Sequence, residues 1–196
     1  MFRILSFIPL IVLLGACSNK EVELVLPTPT CVLQREFHYR LPVPTPDGDT
    51  ASVIRTRYSS PELVATAYLS SSNLTIQLTG STPEQAVSLL IPTSILSANW
   101  VGNYPCQPFA INRPTASVDF QMGSATLYPT LSTAFSLRSS GEIHILAYDS
   151  RTHLLRGTYT AQQQDVPDPN FSASPNAVQK KCTVVVDGSF ENLLVQ

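Results

Sequence analysis

The chain has 196 residues and a net charge of −2, with no cluster of Lys and Arg of the kind phosphate binding needs, which argues against a nucleic-acid partner. Charged residues make up 13%, about half the usual share, and the 16 prolines leave little room for long helices, because Pro removes a backbone donor and clashes inside a helix. The length beyond a leader suffices for one domain with its own core.

Residues 1–16 have the three parts of a secretory signal. Arg3 supplies the positive start, residues 4–14 are apolar apart from Ser6 and Pro9, and Gly15 and Ala16 are the small pair a peptidase needs before its cut. The run is too short to span a bilayer, which takes roughly 20 apolar residues. Leu14-Gly15-Ala16-Cys17 resembles the lipobox of bacterial lipoproteins. That resemblance implies cleavage between Ala16 and Cys17, a diacylglycerol on the Cys17 thiol, and acylation of the new amine. One acyl chain holds a protein only marginally, so two or more suit a lasting anchor. Ser18 resembles an outer-membrane address, because Asp in that place tends to hold Gram-negative lipoproteins at the inner membrane. Glu21 and Glu23, with Lys20 beside them, resemble only in part the acidic surface-export tag of Bacteroidota lipoproteins, so the membrane face stays open.

Residues 17–30 read as the lipidated cysteine and a tether stiffened by Pro27 and Pro29, and residues 31–196 as a single β domain. Period-two alternation predicts strands over residues 32–40, 51–58 and 87–91, with a hairpin over 63–69 and 74–79. Residues 41–50, with three prolines and Asp47-Gly48, read as a loop. A short strand is expected over 100–106. A second hairpin is expected over 118–122 and 125–128, and a meander over 134–138, 142–148 and 154–161, with a polar turn at 149–152. Residues 162–177 read as a long loop. Asp187-Gly188 reads as a type I′ turn joining strands 183–186 and 189–195, because that turn needs positive φ at both central residues. The expected fold is all-β, an antiparallel sandwich or barrel of roughly ten strands.

The segment from Gly141 to Asp149, then Arg156-Gly-Thr-Tyr-Thr-Ala161, then Val186-Asp-Gly-Ser-Phe190, resembles a group of small Bacteroidota lipoproteins. Their pattern is a strand, an aspartate turn, a Gly-Thr-aromatic strand and a final Gly-x-Phe hairpin. Residues 74–78 and 100–104 fit the earlier hairpins of that group. The resemblance implies a β fold and an envelope location and carries over no catalytic residue.

Cys31, Cys106 and Cys182 are left once Cys17 carries lipid, and an exported setting favours one disulfide among them. Cys106–Cys182 is the preferred pair, since both lie in or beside expected strands. The paired spacing of a zinc site is absent, and no metal or cofactor is assigned. His38, His144 and His153 are scattered, and a G-x-S-x-G elbow is absent, so no catalytic residue is assigned. Asp47 and Asp49, and Asp165, Asp168 and Asn170, carry oxygens that Ca²⁺ accepts, but turn chemistry explains them more simply. Asp49-Thr50-Ala51 resembles the O-glycosylation triplet of exported Bacteroidota proteins. Trp100, Tyr104, Phe109 and Tyr128 are candidates for a sugar platform, weighed against ordinary packing.

The leading expectation is a non-enzymatic binding or structural module, lipid-anchored at the outer membrane, its ligand unassigned and a glycan or envelope protein the candidate partner. A lipocalin-like carrier of an apolar ligand is the second reading, and an enzyme with an unfamiliar site the third. Loop-borne binding would fall in residues 41–50, 105–116 or 162–178.

Overall fold

The computed structural model describes residues 26–45, 48–82, 85–106, 114–121, 130–133, 139–167 and 181–196. The lipobox and Cys17, the expected strands 125–128 and 134–138, and Phe109, Tyr128, Asp47, Asp168 and Asn170 lie outside them.

The described strands, in chain order, are β1 (Thr30–Pro44), β2 (Thr50–Ser59), β3 (Val64–Leu69), β4 (Asn73–Thr79), β5 (Val87–Pro92), β6 (Gly102–Cys106), β7 (Ser117–Gln121), β8 (Thr130–Ser132), β9 (Ser139–Asp149), β10 (Leu154–Pro167) and β11 (Lys181–Leu194). They form two antiparallel sheets. The larger has the order β2-β1-β11-β10-β9-β6 and the smaller β3-β4-β5-β7-β8. The sheets do not close, so the fold is a sandwich and not a barrel. No described helix is long and apolar enough to cross a membrane.

Alternation in the sequence sets the core. Cys31, Leu33, Phe37 and Tyr39 of β1 point inward, as do Val184, Val186, Phe190 and Leu193 of β11. Leu74, Ile76 and Leu78 of β4 and Leu89 and Ile91 of β5 meet them from the smaller sheet, all fully buried. Pro105 is tolerated in β6 because that strand is an edge, where a missing donor leaves no ladder bond unmade.

Strand takes up residues of three segments expected from the sequence as loop or turn. Strand β1 runs on to Pro44 past a register shift between His38 and Val43, so the turn narrows to the residues around Thr45–Asp49. Strand β10 runs on to Pro167 through an irregularity between Gln163 and Val166, where Asp165 has φ 55°. The third correction is the final hairpin. Asp187 and Gly188 lie inside the single strand β11, paired with Gln34 and Leu33 on one side and Thr160 and Tyr159 on the other. Gly48 is the only glycine with positive φ among the described residues, so no type I′ turn forms at 187–188. Gly188 is glycine because a Cβ there would overlap the Val32 carbonyl oxygen and the Tyr159 ring and hydroxyl.

The expected disulfide is also corrected. Cys31, Cys106 and Cys182 are buried, and no disulfide joins any two of them. Cys31 pairs with Phe190 and Cys182 with Tyr39 on one ladder, so roughly 26 Å of strand separates them at about 3.3 Å per residue. Cys106 sits on β6, three strands from β11, roughly 14 Å away across the sheet at about 4.8 Å per strand. A bridge needs Cα atoms within about 7 Å. Burial pushes the Cys106 thiol up to about 11, with Thr133 opposing, and raises that of Cys31, with Ser60 opposing, so neither is a ready nucleophile.

Two outcomes follow from this packing. Alkylation of the unfolded, unreduced chain labels Cys31, Cys106 and Cys182, whereas a bridged pair escaping label would contradict the fold. Phe190→Ala lowers the unfolding free energy by about 3–5 kcal/mol in denaturant titration. In the hairpin arrangement Phe190 would face outward, and the loss would be within about 0.5 kcal/mol.

Candidate functional site

The outward positions of the larger sheet carry the polar side chains of the alternating strands. Strand pairing lines up one row, Arg57, Gln34, Asp187, Thr160, Glu142 and Pro105, across all six strands. Glu36, one step along β1, is the hub of the row's end. It accepts hydrogen bonds from Arg55 Nε at 2.6 Å and Gln34 Nε2 at 3.0 Å, and its second oxygen lies 2.9 Å from His38 Nε2. Toward the other edge, Asn103 Nδ2 donates to Glu142 at 2.8 Å and Gln162 Nε2 to Ser140 at 3.1 Å. Ser140, Gly141, Glu142, Thr160 and Gln162 border an open hollow of about 310 Å³.

The neighbouring carboxylates of β1 and β11, Glu36 and Asp187, differ. The hydrogen bond from Arg55, then that from His38, hold Glu36 below the usual carboxylate range against the effect of burial. Partial burial, then the charge of Glu36, raise Asp187, with Arg55 and Arg57 opposing. A pair pushed apart in this way recurs in acid–base enzymes. Here it lies on an open sheet face that does not exclude water, and electrostatic catalysis depends on a dry, pre-organised site. The arrangement presents hydrogen-bond donors and acceptors side by side, as a polar ligand requires.

Inside the sandwich one cation stands out. Arg35 of β1 is 8% exposed, and its Nη2 donates to the Tyr58 hydroxyl at 2.9 Å. Its guanidinium carbon lies 5.7 Å from the Phe37 ring centre, 5.4 Å from that of Tyr58 and 5.9 Å from that of Phe120. Its Nε is buried with no hydrogen-bond partner, and among the described residues no carboxylate pairs with it. The three rings offset part of the desolvation of this charge.

The sequence candidates are dispersed. Tyr104 is core, its hydroxyl donating to the Trp100 carbonyl at 2.7 Å. Trp100 stacks on Tyr148 at 3.9 Å, and the Tyr148 hydroxyl lies 3.1 Å from His153 Nδ1, so these rings pack on one another. His144 is exposed on the outer face opposite Asn103 and Thr158, while His38 joins Glu36. Asp165 lies 3.6 Å from Arg40. The Asp49 carbonyl closes the turn with Thr45, and Thr50 is exposed at the start of β2. No group of three or more metal-binding side chains occurs among the described residues. Of the three loops expected to bind, residues 41–44, 105–106 and 162–167 are strand.

No family model matches the chain, and comparisons with curated proteins and with solved structures find no match either.

The opposite shifts of Glu36 and Asp187 give opposite pH signatures. Glu36, depressed on folding, stabilises above its unfolded pKa, and that contribution is lost as pH falls through its folded value. Asp187, raised on folding, destabilises at neutral pH, and the penalty disappears as pH falls through its raised value. Asp187→Asn therefore raises the melting temperature at pH 7, and the gain over wild type vanishes below about pH 4, the ordinary aspartate range. An equal gain at both pH values would contradict the burial of this carboxylate.

Proposed function

We propose that the chain is a lipid-anchored module of the bacterial cell envelope, outer membrane by the Ser18 address, that binds a polar partner. Acyl chains on Cys17 hold it, and the outer face of the six-stranded sheet does the binding. A glycan is the partner this face suits best. The observation that carries the reading is the row of hydrogen-bonding side chains from Arg57 to Glu142, extended by Asn103, Ser140 and Gln162. The carrier reading is weaker. The gap between the sheets bordered by Val118, Phe120, Thr133, Ser139, Ala161 and Val186 has a volume of about 10 Å³, room for about one water and no acyl chain.

The test uses the full chain purified from a bacterial host. Wild type binds one class among an array of envelope polysaccharides and peptidoglycan fragments. Glu142→Ala weakens that binding about tenfold, the effect of losing one charged hydrogen bond. Cys17→Ala releases the chain from membranes into the soluble fraction with its glycan binding intact. Failure of every glycan to bind, or indifference of binding to Glu142, would sink the surface assignment. Membrane retention of Cys17→Ala would sink the anchor.

A further inference from the structure

Nine large apolar side chains of the described residues are exposed, and six of them gather at one end of the sandwich: Leu26, Tyr68, Leu69, Val101, Leu146 and Leu194. The strand register places them there. Leu154 pairs with both Leu194 and Asp149, so the end of β11, the start of β10 and the end of β9 share one edge. Gly102 pairs with Ile145, which sets Val101 beside Leu146. The chain tail carries the same edge to the smaller sheet, where Ala67 bridges Val195 and the Leu69 amide donates to the Gln196 carbonyl at 2.9 Å. Asn192 Nδ2 donates to the Thr28 carbonyl at 3.4 Å, which brings the stretch following Leu26 to this edge as well.

We propose that this end of the sandwich docks on the lipid surface to which the protein is tethered. The inference rests on the acyl-anchor reading and extends it. The argument for a bilayer as the occupant is where the chain leaves the described structure. Leu26 is nine positions beyond Cys17, at most roughly 30 Å when the chain is fully extended. Acyl chains at Cys17 therefore hold the bilayer within reach of the edge that carries the apolar side chains. Tyr68, and Trp100 next to Val101 in the chain, are of the type that settles at a membrane–water interface. Apolar contact at this end adds to the hold of the acyl chains, and it fixes the polar face of the larger sheet roughly upright on the membrane instead of free to tumble on its tether.

Trp100 is the one tryptophan in the chain, and it stacks on Tyr148 of β9 near this edge. The full acylated chain is reconstituted in phosphatidylethanolamine–phosphatidylglycerol vesicles whose acyl chains carry bromine, which quenches tryptophan at the bilayer surface. The expected result is co-flotation with the vesicles and loss of Trp100 fluorescence. The double variant Leu69→Asp with Leu194→Asp, both at exposed positions, keeps its far-ultraviolet circular dichroism and co-flotation and recovers the fluorescence. A chain that floats with the vesicles while Trp100 stays unquenched overturns the docking and leaves the anchor standing. Quenching unchanged in the double variant overturns the assigned surface. A chain that does not float overturns the anchor and the docking with it.

Discussion

The fold depends on the pairing of the last strand with the first. Strand β11 lies between β1 and β10, so the middle of the larger sheet cannot form until the end of the chain is in place. The rung from Cys31 to Phe190 joins residues far apart in the sequence. Such pairing costs loop-closure entropy before any contact offsets it, and it makes folding slow relative to local structure. Beyond Leu194, Val195 and Gln196 cross to β3 and add backbone hydrogen bonds to the smaller sheet. One strand thus orders the large sheet and ties it to the small one.

That central pairing also creates the two faces. With Val184, Val186 and Phe190 turned inward, Asp187 must turn outward beside Gln34 and Thr160. The same alternation on β1 sends Glu36 and His38 outward. It also sends Arg35 inward, against the usual preference for apolar residues there. A buried cation without a carboxylate is an expensive element of a core, because pairing with rings recovers only part of its hydration. Phe120 of the smaller sheet is one of those rings, so Arg35 also links the two layers.

Most of the strands were legible from alternation and turn residues. The hairpin of β3 and β4, the strand β5 and the polar turn after Asp149 stand where the pattern puts them, with Asp149 accepting from the Arg151 amide at 2.9 Å and the Thr152 hydroxyl at 2.8 Å. At Asp187-Gly188 the phase of the strand outweighs the turn preference of the local dipeptide. A two-residue turn would put Val186 and Ser189 on the same side and turn Phe190 to solvent. A continuous strand keeps Val184, Val186 and Phe190 together inside, and that phase was present in the sequence. The glycine meant close approach by Tyr159, a contact that only tertiary structure reveals. The outer-face row was half legible. Gln34, Glu36 and His38 alternate on β1 as Arg55 and Arg57 do on β2, but their meeting with Asp187, Thr160 and Glu142 is set by strand order, which no local pattern carries.

The central position of β11 is most directly tested by amide hydrogen exchange of the native chain. Amides of residues 184–190, Asp187 and Gly188 included, are expected among the slowest in the protein, as those of a strand with neighbours on both sides open only with global unfolding. Fast exchange at Asp187 and Gly188 between two slower flanks would show a turn there and would contradict the arrangement of the larger sheet.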